Sequence, residues 1–173
     1  GLAGAAGDID LAGFAQALAE GLTLGEFNVG SYKTADPTAG PPPRCTIVLP
    51  DLPDTSPESP TRLEAAITRG RVLGECCNLA RGLSNEPGNT LTPREFAARG
   101  AAIAGVRGVA VEILDERQIE ALGMGLLLGV ARGSSEPPRG MVFRYEPPDP
   151  TPGPVLALVG KGITFDTGGI SIK

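Results

Sequence analysis

The stretch TPREFAARGAAIAGVRGVAVEILDERQIEALG, residues 92–123, decides the fold class. Thr92 has the hydroxyl of a helix N-cap, Pro93 suits the first helical position, and Glu95 is an early acid beside the helix's positive end. The spacing predicts a helix to about Ala104. Gly108 to Leu114 (GVAVEIL) then alternates apolar with less apolar residues, the period of a strand. Asp115 can cap the short helix DERQIEALG. Helix, strand, helix in that order is the grammar of an α/β domain.

Further along, Leu126–Ala131 and Met141–Tyr145 read as apolar strands followed by Pro-rich turns, and Val155–Val159 as a last strand. The expected architecture from Thr92 onward is therefore α/β with a mixed sheet. Working back, Thr61 to about Asn85 is a long helix with apolar positions 63, 66, 67, 73, 76, 77 and 80 on one face; Pro87 and Gly88 stop it. The Pro- and acid-rich run 51–60 is a solvated connector and the best place for a domain boundary. Arg44–Pro50 reads as a buried strand and 31–43 as a loop. Asp8–Leu24 is an amphipathic helix with Asp8 as N-cap and apolar residues at 11, 14, 15, 18 and 22.

Composition narrows the chemistry. The 173 residues are 41% apolar and only 4% aromatic, with no Trp, so a core must be built from Leu, Val, Ile and Ala. The net charge of −5 and the lack of a basic stripe argue against nucleic acid as a partner. No apolar run approaches the roughly 20 residues that span a bilayer, so no membrane partner is expected. The start lacks a Met and a basic n-region and is not a secretory signal. Cys45, Cys76 and Cys77 are expected to be small buried thiols in a reducing cytosol, the latter two packed in a helix interface. Histidine is absent. That excludes Ser-His-Asp and Cys-His nucleophiles and His-ligated zinc, and leaves carboxylates, lysines, backbone amides or a metal held without imidazole.

The segment VGKGITFDTGGISIK, 159–173, is where such chemistry is concentrated. A phosphate loop needs GxxxxGK[ST] opening a helix, but here Gly160-Lys161 is followed by Gly162 and a β-like run. That reading fails. Two remain open on the residues alone. The glycines can mark a strand leaving a sheet through tight turns. Alternatively, Lys161, Asp166 and Lys173 can be working groups, since a carboxylate can bridge two divalent ions, a neutral amine can ligate one, and a second lysine can stabilise an oxyanion. Thr164 and Thr167 read as turn and strand hydroxyls, and Asn85 and Asn89 as residues that satisfy loop backbone groups.

Residues 159–173 resemble the signature of the leucyl aminopeptidase family, the dinuclear metallo-aminopeptidases also called cytosol aminopeptidases. NLARGLSNEPGNTLTPREFA (78–97) and LGMGLLLGVARGSSEPPRGMVFRYEP (122–147) are similar to the segments that open the family's catalytic domain and precede its signature, and AEGLTLGEFNVGSYK (19–33) to the end of its amino-terminal domain. The resemblance implies an organisation of 1–59 as the end of an N-terminal α/β, macro-like domain with its connector, 60–85 as a linking helix, and 86–173 as the first part of the catalytic domain. It implies that Lys161 and Asp166 are metal ligands, Asp166 bridging, and that Lys173 is catalytic and polarises the scissile carbonyl.

The implied cofactor is two divalent metal ions, Mn2+ or Zn2+, with Mg2+ or Co2+ as alternatives. The implied activity is release of N-terminal amino acids, leucine-type, from a peptide substrate by a cytoplasmic homohexamer. The family's further ligands, an aspartate soon after the signature and an Asp-Ala-Glu set followed by an arginine, have no counterpart here. The expectation is an internal piece, inactive without the remainder of the catalytic domain as its partner. The alternative is a non-catalytic truncated homologue acting in assembly or binding.

Overall fold

The computed structural model describes residues 10–28, 30, 32, 44–46, 60–106, 108–150 and 152–165. The chain divides into two compact units, Gly1–Asn85 and Glu86–Lys173.

The first unit is built on helix α1 (Leu11–Gly25) packed along helix α2 (Pro60–Ser84). Asp10 caps α1, its carboxylate accepting from the Gly13 N–H at 3.1 Å. The Asp8 expected in that role lies outside the described residues. The seam between the helices is made of small groups. Ala12, Ala15, Ala19 and Thr23 are buried on α1, and Leu63, Gly70 and Gly74 on α2. A Cβ on Gly74 would sit 2.7 Å from Thr23 Cβ, so the absent side chain is what lets the two backbones approach. Thr23 keeps its buried hydroxyl satisfied by donating to Ala19 O at 2.9 Å.

Leu11 and Ala15 of α1 pack with Leu63, Ala66 and Ile67 of α2 as the expected faces require, and the rest of those faces is corrected. Phe14 and Leu22 are exposed on α1, as are Leu73, Cys76 and Cys77 on α2. Cys45 is exposed too, so none of the three thiols is buried. A glycine counts for nothing in an apolar periodicity, yet Gly70 and Gly74, four apart, continue the inner side of α2 that Leu63 begins. The far end of α1 is closed by α2. Asn78 Nδ2 donates to Thr23 O at 2.6 Å, and Arg81 Nη1 to Leu24 O at 3.0 Å and to Asn78 Oδ1 at 2.9 Å. The Arg81 guanidinium also lies 4.0 Å from the centre of the Phe27 ring. A cation and an amide thus join the Glu26 and Phe27 N–H groups at carbonyls of the helix's negative end.

The second unit contains α3 (Pro93–Val106), β1 (Ala110–Leu114), α4 (Glu116–Ala121), α5 (Gly125–Ala131) and β2 (Gly140–Arg144). Strands β1 and β2 pair antiparallel, from Ala110 opposite Arg144 to Leu114 opposite Gly140. Helix α3 lies on this pair, with Gly100 against Met141 and Phe143. Leu91, Ala97, Ala104, Leu114 and Ile119 are buried, Ile119 completely. The unit is α/β, and its start follows the expected grammar. The Glu95 N–H donates to Thr92 Oγ1 at 3.3 Å, and Asp115 forms a full capping box with Gln118, both bonds at 2.9 Å. Gly123, at φ +70, ends α4 in a Schellman turn: Met124 N–H reaches Ile119 O and Gly123 N–H reaches Glu120 O.

Two expected strands come out differently, and a third lies mostly outside the described residues. Leu126–Ala131 lies within helix α5. A short apolar run carries no periodicity that separates a buried strand from a helical turn and a half. Val155–Val159 forms no regular element, and Leu156 and Val159 are 83% and 98% exposed. A strand exists only by pairing, and no described residue pairs with this one. The strand expected at 44–50 falls outside the described residues except at 44–46, which have no regular structure.

Candidate functional site

The segment that follows Val159 is described as far as Phe165. Asp166 and Lys173 lie outside the described residues, as does Thr167. Lys161 is exposed and has no hydrogen bond or ion pair to another described residue. Two close approaches fix where its segment runs. A Cβ on Gly162 would meet the Phe96 ring at 2.6 Å from Cε1, and a Cβ on Gly88 would lie 2.6 Å from the Thr164 carbonyl oxygen. Helix α3 and the turn before it therefore face residues 162–164 directly.

The turn is built for that closeness. Thr90 and Leu91 N–H groups both donate to Pro87 O at 2.9 Å, then Thr92 opens α3. Asn85 and Asn89 do not use their side chains as expected: among the described residues those amides make no hydrogen bond, and Asn89 instead faces a cleft of about 500 Å³. Gly88, Thr92, Ser134, Glu136 and Phe165 line the same cleft.

Two arginines of α3 brace the surroundings. Arg94 grips Glu136 with both arms, Nε to Oε2 and Nη2 to Oε1, each at 2.8 Å. That fork, first through its hydrogen bonds and then through the guanidinium charge, holds the Glu136 carboxyl below the usual carboxylate range and raises Arg94. Arg99 bonds Glu86 through Nη1 and Glu95 through Nε, the latter at 2.7 Å. Both bonds raise its pKa, Glu86 foremost. The second Glu86 oxygen, Oε2, is buried with no hydrogen-bond partner.

Sequence reasoning missed Phe96, Arg94 and Glu136. Gly88 and Gly162 were legible only as turn glycines, and no local signal links residues 42 apart such as Arg94 and Glu136. Among the described residues no group of three or more His, Cys, Asp or Glu side chains is placed to hold a metal ion. The described part supplies one amine donor, Lys161, and does not by itself compose a metal centre.

The catalytic-domain model of the cytosol aminopeptidase family matches residues 78–173, which take in α3, the β1–β2 pair and the whole of the Lys161 segment. The chain belongs to the cytosol aminopeptidase family. It is 46% identical over 160 residues to a probable cytosol aminopeptidase of Solibacter usitatus (strain Ellin6076), covering 92% of this chain and 31% of that relative. A probable cytosol aminopeptidase of Alkaliphilus metalliredigens (strain QYMF) is 42% identical over 158 residues, with 91% and 31% covered. Among solved structures, the bottromycin maturation enzyme BotP in complex with Mn is similar at a TM-score of 0.61 and 34% identity, covering 78% of this chain and 26% of that one. The chain spans about a third of the length of the curated relatives it matches. No helix among the described residues is long and apolar enough to cross a membrane.

Proposed function

We propose that this chain supplies part of the active site of a metal-dependent aminopeptidase, which releases N-terminal amino acids, leucine foremost, from peptides. The observation that carries the reading is the family match over 78–173, which includes all three of Lys161, Asp166 and Lys173. Two divalent ions, Mn2+ or Zn2+ with Mg2+ or Co2+ as alternatives, supply Lewis acidity and an acidified water when bound. Lys161, through its neutral amine, and Asp166, through its carboxylate, would hold these ions. Lys173 would keep its charge and polarise the substrate carbonyl, stabilising the negative charge that develops on attack. Exposure of Lys161 in the described structure suits a side chain whose partners come from elsewhere in the completed domain. The remainder of the catalytic domain, a cytoplasmic setting and a homohexameric assembly belong to the same reading.

The test is hydrolysis of leucine 4-nitroanilide by the completed catalytic domain, with and without a chelator. Activity that a chelator abolishes and Mn2+ restores is expected. Asp166→Ala should abolish it with the far-UV circular dichroism unchanged. Loss of folding together with activity would make Asp166 a structural carboxylate. A completed domain with no metal-dependent release of an N-terminal residue would sink the enzyme reading and leave a role in binding or assembly.

A further inference from the structure

We infer that Gly88, Gly162 and Phe96 form a seat that positions Lys161, so that the start of α3 sets the placement of a proposed metal ligand it does not touch. The inference rests on the aminopeptidase reading above.

The argument comes from two contacts made on opposite sides of one crossing. On the signature segment the glycine is Gly162, and its missing side chain faces the Phe96 ring. On the turn before α3 the glycine is Gly88, and its missing side chain faces the carbonyl of Thr164. Each strand of the crossing thus contributes one glycine and one bulky or polar group to the other. Gly162 and Thr164 are two apart, so the two contacts hold the segment at points on either side of Ile163. Lys161, Gly162, Ile163 and Phe165 are exposed and Thr164 is half-buried, so the segment crosses at the surface and Lys161 is the residue next to the glycine that meets Phe96. Holding Gly162 and Thr164 against Phe96 and Gly88 therefore fixes the backbone on which Lys161 stands.

The backbone under the seat is tied down. Phe96 N–H donates to Thr92 O at 2.8 Å in the first turn of α3, and Thr90 and Leu91 lock the turn onto Pro87 O. The Arg94–Glu136 fork ties the same first turn to the 134–136 segment across the cleft. A methyl group at Gly162 cannot be absorbed without moving either the ring or the segment, because 2.6 Å is far inside a carbon–carbon contact of about 3.5 Å. Neither Gly88 nor Gly162 has a positive φ, so their requirement is for space alone.

The experiment uses the completed catalytic domain and three variants, Gly162→Ala, Phe96→Leu and the two together. The readouts are kcat and KM on leucine 4-nitroanilide, Mn2+ affinity of the metal-stripped protein by calorimetry, and the urea midpoint. A displacement near 1 Å at a catalytic group costs about 100-fold, so Gly162→Ala should lose about that in kcat. KM should change much less, and Mn2+ binding should weaken. Phe96→Leu removes the ring carbons that the new methyl meets, so the double variant should recover at least about tenfold in kcat along with Mn2+ affinity. Gly162→Ala with kcat and Mn2+ affinity intact overturns the inference. So does a double variant no better than Gly162→Ala while Phe96→Leu alone stays near the parent. If Gly162→Ala fails to fold, restored folding and activity in the double variant support the seat, and continued failure overturns it. A parent domain that neither hydrolyses the anilide nor binds Mn2+ overturns the aminopeptidase reading, and the seat's role falls with it.

Discussion

Replacing Gly74 by alanine puts two opposed effects on one residue. Alanine is favoured over glycine within a helix by about 0.8–1.0 kcal/mol, so a solvent-facing reading of position 74 predicts a more stable protein. The structure predicts the opposite. The new methyl would lie 2.7 Å from Thr23 Cβ, 2.9 Å from its Cγ2 and 3.1 Å from Glu20 O. Thr23 cannot turn aside cheaply, since rotating it gives up the buried hydroxyl's bond to Ala19 O. Instead α2 must back away by several tenths of an ångström, which loosens the Asn78 and Arg81 bonds to the end of α1. Overpacking of this kind costs about 1–3 kcal/mol, leaving a net loss of up to about 2 kcal/mol after the helical gain. Gly82 on the same helix is the control, because a Cβ there meets nothing within 4 Å. Gly82→Ala should stabilise by up to about 1 kcal/mol. Urea unfolding followed by far-UV circular dichroism separates the two, with midpoints moving in opposite directions. If Gly74→Ala proves as stable as Gly82→Ala, the close seam between α1 and α2 is wrong.

The Arg94–Glu136 fork gives a pH signature. Glu136 is held below its ordinary value, so its contribution is complete above about pH 4.3 and lost as pH falls through the lower folded value. Glu136→Gln should therefore flatten the fall in stability on acidification from about pH 5 to 3, measured as urea midpoints at each pH. Asp115→Ala removes the carboxylate of a full capping box and should cost about 0.5–2 kcal/mol in the same denaturation assay. Glu116→Ala, next along and outside the box, should cost less. Cys45, Cys76 and Cys77 are exposed, so all three should react with a thiol reagent in the folded protein within the time that a denatured sample does; three slow thiols would restore the buried arrangement that the sequence suggests.

Much of the second unit was legible because its punctuation is local. Thr92-Pro93-Arg94-Glu95 and Asp115 act on backbone groups within three or four residues, so their chemistry can be read in place. The strand 110–114 was visible for the same reason, through its alternation. What escaped depended on a distant partner. Gly70 and Gly74 acquire meaning only opposite Thr23 and Ala19, and Phe96 only opposite Gly162. Leu126–Ala131 offered too short a run to distinguish helix from strand, with Met124 giving no side-chain cap to mark its start. For the site, Lys161 is placed, exposed, at the seat on α3, while Asp166 and Lys173 stay defined by the signature they belong to.

The β1–β2 register has a consequence for how the unit tolerates change. Leu114 faces Gly140, so the pairing pinches together the two ends of everything between them, α4 and α5 included. That excursion begins and finishes at one point, much as a pendant begins and finishes at its clasp. Doubling such a closed loop costs only about 0.6 kcal/mol in chain entropy. Residues added or removed around Arg132 and Gly133 should therefore leave the β1–β2 clasp in place, and the contact they disturb is the Arg94–Glu136 fork, which reaches from α3 into the pendant.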